Sequence, residues 1–319
     1  MKNKKYIIGA DIGATFVKIG AVDKSGKVIR RSSFSTGDFP SKKEFIKALS
    51  DCISIIIKSL GVPKSRITGL GIGVPGTVDY KNGIVHGLTN IKGWKEVPLR
   101  KILQGIFKFP VCIDNDANAF AKGELTWGSA RNTRNAICVT LGSGVGGGII
   151  INGELYRGSN YAAGEIGHMC IDLKGQKCAC GNTGCLETFV GNAYIVKRAV
   201  NLIKKGAKTS LKSAAAGDLS RITPQMITEA AVKNDKFSVK IWEETGVYLA
   251  IGLSGAVNMI NPEKIIIAGG ISKAGKFIFA PLKKELKKRA MKTHLKVLKV
   301  MRAELADDAG IIGAASLII

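Results

Sequence analysis

Residues 6–22 read YIIGADIGATFVKIGAV, two apolar runs around Asp11-Ile12-Gly13-Ala14-Thr15. Apolar β-branched flanks about a glycine-bearing turn predict a β-hairpin. Its tip offers backbone N–H groups and the Thr15 hydroxyl to phosphate oxygens, and the Asp11 carboxylate to a hydrated Mg²⁺. Asp and Gly are ordinary turn residues, so this tip gains meaning only beside the motifs further along the chain. Residues 136–151, AICVTLGSGVGGGIII, repeat the design on a larger scale. There Gly142-x-Gly144-x-x-Gly147 matches the dinucleotide fingerprint formally, but that fingerprint needs a helix directly after the glycines. Gly148 leads instead into Ile149-Ile150-Ile151-Asn152-Gly153, a second strand and a turn. No G-x-x-x-x-G-K-[ST] occurs, which excludes P-loop chemistry. Two Gly-tipped hairpins, each opening an α/β half, predict two related domains facing a cleft.

Outward from the first hairpin, Phe45, Ile46, Leu49, Ile53, Ile56, Ile57 and Leu60 recur at helical spacing behind a Ser41-x-x-Glu44 capping box. The strand ITGLGIGVPGTV then ends in Gly73-Val74-Pro75-Gly76, where glycines let a ligand approach the backbone and the proline fixes the turn. Residues 109–113 predict a short strand that delivers Asp114-Asn115-Asp116-Ala117-Asn118 at its carboxyl end, before a helix from about Ala119. Ligands of α/β folds gather at such ends, although helix starts favour Asp and Asn in any case. Beyond the second hairpin, helices are expected over 192–205, 223–233 and 236–259, and a buried strand over 264–268 that runs into Gly269-Gly270. Residues 308–315 predict a final apolar helix suited to docking on a sheet.

Residues 163–188 read AGEIGHMCIDLKGQKCACGNTGCLET. His168, Cys178, Cys180 and Cys185 supply one imidazole and three thiols, a closed tetrahedral zinc shell with no position left for water. Such a site is structural. Glu165 and Glu187 flank it, so a metal clamp here would hold two carboxylates at fixed positions. The cysteines stand among Lys177, Gly181, Asn182 and Gly184, as ligand loops do and apolar cores do not.

At 319 residues the chain is long enough for two domains, each with its own core. The seven cysteines are an odd number, and Cys52, Cys112 and Cys138 lie in apolar runs with no leader before the first strand, which favours a reducing cytoplasm. The uncharged windows 135–153 and 245–262 are interrupted by glycines or polar residues, so neither predicts a membrane span. A net charge of +24 invites a nucleic-acid reading. The lysines, however, are scattered, and residues 283–302 alternate with Leu282, Leu286, Leu295, Val297 and Leu298 as a solvated amphipathic face would. A general basic surface, with no specific nucleic acid and no membrane, is expected.

Taken in order, Asp11-x-Gly13-x-Thr15, Gly73-x-Pro75-Gly76, Asp114 to Asn118, Gly142 to Gly148, Glu165-x-Gly167-His168, Cys178-x-Cys180-Gly181-x-x-Gly184-Cys185-x-Glu187 and Gly269-Gly270 resemble the ROK family of bacterial sugar kinases. The resemblance covers nearly the whole chain. It implies an α/β fold of two actin-like ATPase domains, ribonuclease H-like, around a central cleft. The first would span 1–117 with 307–319 packing back on it, and the second 118–306 with the zinc loop. It implies ATP-dependent phosphorylation of a hexose, with Mg²⁺ on the phosphates, a structural Zn²⁺ and a homodimer or homotetramer. Asp116 matches the family's general base. Gly76, Asn90, Asn115, Glu165, His168 and Glu187 match sugar ligands. His168 also matches a zinc ligand with Cys178, Cys180 and Cys185. Asp11, Gly13, Thr15, Lys18, Thr140, Gly142 and Gly144 match the phosphate loops, and Gly269 with Gly270 the adenosine contact.

The AGEIGH segment and Asn90-Ile-x-Gly93-Trp94 look like those of the family's glucokinases, which implies glucose; kinases of N-acetylmannosamine, N-acetylglucosamine, fructose and allose share nearly all these motifs. Some family members are repressors with a helix-turn-helix ahead of the first phosphate loop, and the short segment before Asp11 leaves no space for one. A regulator without a DNA-binding domain and a silent sugar-binding protein are the remaining alternatives, against which the intact Asp116 and glycine loops argue.

Overall fold

The first predicted hairpin forms: β1 (Tyr6–Ile12) and β2 (Phe16–Asp23) pair antiparallel with Asp11 opposite Lys18, and β3 (Val28–Ser35) extends the meander. The structure, a computed structural model, describes residues 5–39, 41–88 and 91–319. Helix α1 (Lys42–Ser59) is capped by the Ser41 hydroxyl, which accepts the Glu44 amide at 3.3 Å and donates to the Glu44 carboxylate at 2.6 Å. Strand β4 (Ile67–Val74), the two-residue strands β5 (Val78–Asp79) and β6 (Ile84–Val85), α2 (Leu99–Phe107), β7 (Val111–Asn115) and α3 (Asp116–Trp127) come next. The second hairpin is β8 (Ala136–Leu141) and β9 (Val145–Ile151), with β10 (Glu154–Tyr156) beside it. Then come α4 (Glu187–Val190), α5 (Asn192–Lys204), α6 (Leu211–Ala214), α7 (Pro224–Val232) and α8 (Lys236–Ile260). The chain closes with β11 (Lys264–Ala268), α9 (Lys276–Arg289), α10 (Lys292–Leu295), β12 (Lys299–Arg302) and α11 (Ala309–Ser316).

The strand expected over 109–113 lies two residues further on. Pro110 has no N–H to give, so pairing with β4 begins at Val111 and runs to Asn115. Asp116 is therefore the first residue of α3, which starts three residues before Ala119, and the Asn115 side chain caps it by accepting the amides of Ala117 and Asn118.

The chain divides into two units, residues 1–133 with 148–163 and 303–319, and residues 134–147 with 164–302. The first unit thus extends past the expected boundary at 117, because α3 lies on β4 and α11 and because Gly148 approaches Ala117 and Ala121 of α3 so closely that a Cβ would press on both. Residues 118–133, 148–163 and 303–306 accordingly belong to the first unit.

In the first unit the strand order is β3-β2-β1-β4-β7, with β1, β4 and β7 parallel. Side chains alternate across β1 as the pleat requires. Tyr6, Ile8, Ala10 and Ile12 pack with Phe45, Leu49 and Ile53 of α1 and Leu99, Leu103 and Phe107 of α2, whereas Ile7 packs with Ile311 and Ala315 of α11. Helix α11 lies flat on its face of the sheet because Gly9 and Gly71 offer no side chain: a Cβ at either would overlap the carbonyl of Ile311 or Ala314. The turn into α11 is held by Glu124 of α3, fully buried, which accepts the amides of Ser129 at 2.6 Å, Leu305 at 3.1 Å and Glu304 at 3.4 Å.

In the second unit β8, β11 and β12 run parallel, and β9 lies beside β8. The core centres on α8, whose Trp242, Leu249 and Leu253 are fully buried, and Gly246 admits α9 at the Ile278 carbonyl. No described helix is long and apolar enough to cross a membrane. Leu282 and Leu286 are buried beneath exposed Lys283, Lys284, Lys287, Lys288 and Arg289, whereas Val297, expected on the apolar face, is exposed.

The role of the missing Cβ is directly measurable. Gly71→Ala should destabilise the fold by about 1–3 kcal/mol through overpacking. Gly105→Ala in α2, where nothing lies within 4 Å, should stabilise it by roughly 0.5–1 kcal/mol. Urea midpoints of equal size and sign for the two variants would contradict the packing of α11.

Candidate active site

In the first unit Asp11, Gly73 and Asp114 pair across the carboxyl ends of the parallel strands β1, β4 and β7, where α/β folds present ligands. Asp11 follows the alternation of β1 onto the α11 face, and its carboxylate lies against Gly310 in the first turn of α11. Burial pushes its pKa up, and Lys18 across the hairpin draws it partly back. A hard cation there would relieve a carboxylate that the fold has desolvated. The hairpin tip is closed by the Gly13 amide on the Phe16 carbonyl at 2.9 Å, while the Thr36 hydroxyl donates to the Gly13 carbonyl at 2.9 Å. Thr15 and Lys18 are exposed.

Asn115 ties two further positions together, since its side-chain amide donates to the Gly76 carbonyl at 3.1 Å while its oxygen caps α3. Gly76 has φ +84°, the left-handed region that favours glycine. Asp116 stands next in line, with Oδ1 accepting the Ala117 amide at 2.8 Å and its Cα where a Cβ on Gly73 would meet it at 3.5 Å. The fold therefore collects Asp11, Gly76, Asn115 and Asp116 at one end of the first sheet. Asn90 lies outside the described residues.

In the second unit the corresponding strand ends carry the glycine loop. Thr140 of β8 pairs with Ala268 of β11, and Gly269 comes so close to the Leu141 carbonyl that no side chain would fit. Gly269 thus lies against Leu141, between Thr140 and Gly142 in the chain, and Gly270 follows it. The loop is shaped by the Gly142 amide on the Gly144 carbonyl at 3.0 Å and the Asn192 amide on the Gly142 carbonyl at 2.9 Å. One acid completes it. The Glu187 carboxylate accepts the Val145 amide at 2.9 Å, and a Cβ on Gly144 would stand 2.6 Å from the same oxygen. Glu187, matched in sequence only to a sugar ligand, is also the group that fixes the glycine loop, and Gly144 answers to that carboxylate as well as to any phosphate.

Glu187 begins α4 directly after the cysteine cluster. Ligand atoms of His168, Cys178, Cys180 and Cys185 all lie within 4.8 Å of one another. Cys178 Sγ is 3.6 Å from His168 Nδ1, and Cys180 Sγ is 3.6 Å from Cys185 Sγ. Edges of about 3.5–3.8 Å are what a tetrahedron of Zn–S and Zn–N bonds gives. Burial pushes the Cys185 thiol up to about 12, with Cys180 and Cys178 adding to the effect, so the buried sulfur holds its proton until a cation replaces it. Backbone turns set the loop: the Cys178 amide donates to the Asn182 carbonyl at 2.8 Å, and Gly184, at φ +71°, has the Asp172 carbonyl where a Cβ would be. His168 turns its other nitrogen, Nε2, toward Glu165 Oε2 at 3.8 Å. One ring thereby serves the cluster and the exposed carboxylate.

Truncating Glu187 should therefore loosen the glycine loop. A charged hydrogen bond is worth about 1.5–3 kcal/mol, so Glu187→Ala should speed amide exchange at Val145 by about tenfold or more, and Glu187→Gln by much less. Unchanged exchange at Val145 in Glu187→Ala would show that the bond does not hold the loop.

Comparison with known proteins places the chain in a family. The ROK family model matches residues 7–319. A glucokinase of Thermotoga maritima is 33% identical over 99% of this chain and 98% of its own length. A xylose repressor of Caldicellulosiruptor bescii is 33% identical over 100% of this chain and 79% of its own length. Among solved structures, a ROK family glucokinase from Streptomyces griseus in complex with glucose and AMPPNP superposes with a TM-score of 0.84 at 30% identity, covering 98% of each chain. The fold is thus the actin-like ATPase fold of these sugar kinases, and the chain belongs to the ROK family.

Proposed function

We propose that the protein is an ATP-dependent hexose kinase that converts glucose to glucose 6-phosphate. The observation that carries this reading is the position of Asp116, a carboxylate at the first turn of a helix, at the carboxyl end of a parallel strand, with Asn115 and Gly76 locked beside it. The similarity to glucokinases along the whole chain supports the same reading.

Phosphoryl transfer asks little covalent chemistry of a protein, so positioning and charge supply most of the rate. Asp116 would accept the proton of the sugar 6-hydroxyl as that oxygen bonds to the γ-phosphorus and ADP leaves. Asn115, Glu165, His168 and Glu187 would orient the hexose through its other hydroxyls, Asn90 with them. The turns at Gly13 and at Gly142 to Gly144 would let phosphate oxygens approach the backbone, the Thr15 and Thr140 hydroxyls would donate to them, Lys18 would add charge and Gly269-Gly270 would take the adenosine. Asp11 suits Mg²⁺, which would neutralise charge on the phosphates. His168, Cys178, Cys180 and Cys185 suit a structural Zn²⁺ that orders residues 165–187 without entering the reaction. The odd number of cysteines, with Cys52, Cys112 and Cys138 in apolar runs, supports a reducing cytoplasm. The family resemblance supports a homodimer or homotetramer. The similarity to xylose repressors favours a second reading, a sugar-responsive regulator. Hexose-dependent release of ADP across a sugar panel separates the two, since a regulator binds sugar without turnover.

Asp116→Asn keeps the shape of the side chain but cannot take the proton, so kcat should fall by at least ~10² with sugar and ATP binding retained. Activity within about threefold of wild type would remove Asp116 from this role. The purified protein should carry about one zinc per chain. Cys180→Ser should lose that zinc and weaken sugar binding by about 10–100-fold or more, with ATP affinity little changed. Metal-free protein with full sugar affinity would overturn the structural role of the cluster.

A further inference from the structure

Asp114 is an acid that the proposed chemistry does not use, and its side chain is only 1% exposed. Its Oδ1 accepts the Asn115 amide at 2.8 Å and the Asn118 side-chain amide at 3.1 Å, so it binds the segment that carries Asp116 from both sides. Its Oδ2 takes Arg157 Nε at 2.8 Å, and Arg157 is itself only 20% exposed. The guanidinium carbon stands over the Tyr80 ring, 3.8 Å from the ring centre. Tyr80 is held in turn by Arg100, whose guanidinium donates to the carbonyls of Tyr80 at 2.6 Å and Lys81 at 2.9 Å. On the far side the loop after β10 is closed by the Ala163 amide on the Arg157 carbonyl at 3.0 Å, and it brings Tyr161, at φ +65°, beside Tyr80. A left-handed conformation is costly for a tyrosine, and a loop keeps one only where the surroundings over-determine it.

We infer that Arg157 is a positioning residue for catalysis: clamped between Asp114 and Tyr80, it fixes the Asp114–Asn118 segment and thereby Asp116. The need is physical. Among the described residues strand β7 is the edge strand of its sheet and pairs with β4 alone, so its last residues have ladder support on one side there. A buried carboxylate also needs a charged partner, and Arg157 is the cation that reaches it. Contact with the Tyr80 ring together with the Nε bond to Asp114 suits a guanidinium, and a lysine would supply only a point charge. This assignment rests on the reading of Asp116 as the base.

The test compares Arg157→Met and Arg157→Lys with wild type, at a temperature where circular dichroism shows all three folded. Arg157→Met should lose about 10–100-fold in kcat with glucose as acceptor, because small displacements of a reacting group cost rates of that order. The KM for ATP should stay within about threefold, and Arg157→Lys should recover part of kcat. Amide exchange at residues 115–118 should accelerate in Arg157→Met while that of β8 and β11 stays as in wild type. The double variant Asp114→Asn/Arg157→Met, which leaves no unpaired buried charge, should regain stability without regaining kcat. Wild-type kcat in folded Arg157→Met, or unchanged exchange at 115–118, would overturn the assignment. Should wild type phosphorylate no hexose, the kinase reading fails, and the exchange measurement still decides whether Arg157 fixes the segment.

Discussion

Two absent methyl groups govern the first unit. Because Gly9 and Gly71 leave the face of β1 and β4 flat, the carbonyls of Ile311 and Ala314 come down onto the sheet, and α11 returns the end of the chain to its beginning. Gly123 and Gly313 repeat the device between α3 and α11. The consequence for the site is direct, since the same alternation that points Gly9 at α11 points Asp11 there too, and Gly310 makes room for its carboxylate. Helix α3, wedged between α11 and β4 with Glu124 binding the approach to α11, can then begin only where Asn115 caps it. Asp116 is placed by backbone packing before any ligand arrives.

The second unit reaches similar rigidity by different means. Its glycine loop has few side chains to pack, and the Glu187 carboxylate supplies what they cannot, a charged acceptor for Val145. Glu187 is placed in turn by the turn at Cys185 and by the Leu186 amide on the Met169 carbonyl. The order of the cysteine cluster is thereby passed to the loop beside Thr140 and Gly269. Burial and the neighbouring sulfurs favour the protonated Cys185 thiol, so a metal at this cluster would bind by displacing that proton.

What sequence made legible was local. Hairpins, capped helices and the buried strand β11 announce themselves through periodicity and turn residues, and the order of short motifs carried the family resemblance. The start of α3 was misplaced by three residues because Asp and Asn signal a cap and a strand end alike, and only pairing with β4 decides between them. The first unit's claim on residues 118–133 and 148–163 was illegible, since it depends on which surface α3 and Gly148 meet. Arg157 was missed for the same reason. Its partner is 43 residues away, and no spacing rule links a loop arginine to a buried aspartate. The family resemblance matches Glu187 to a sugar ligand, but its support of the glycine loop is visible only in where its oxygen points.

The most direct test of the account tracks phosphorus itself. Phosphorus-31 NMR of the purified protein with ATP, Mg²⁺ and glucose should show a sugar phosphomonoester growing in step with ADP, its coupling placing the group on the 6-oxygen. ATP left intact in the presence of glucose and every other hexose of the panel, by folded protein that binds sugar, would contradict it.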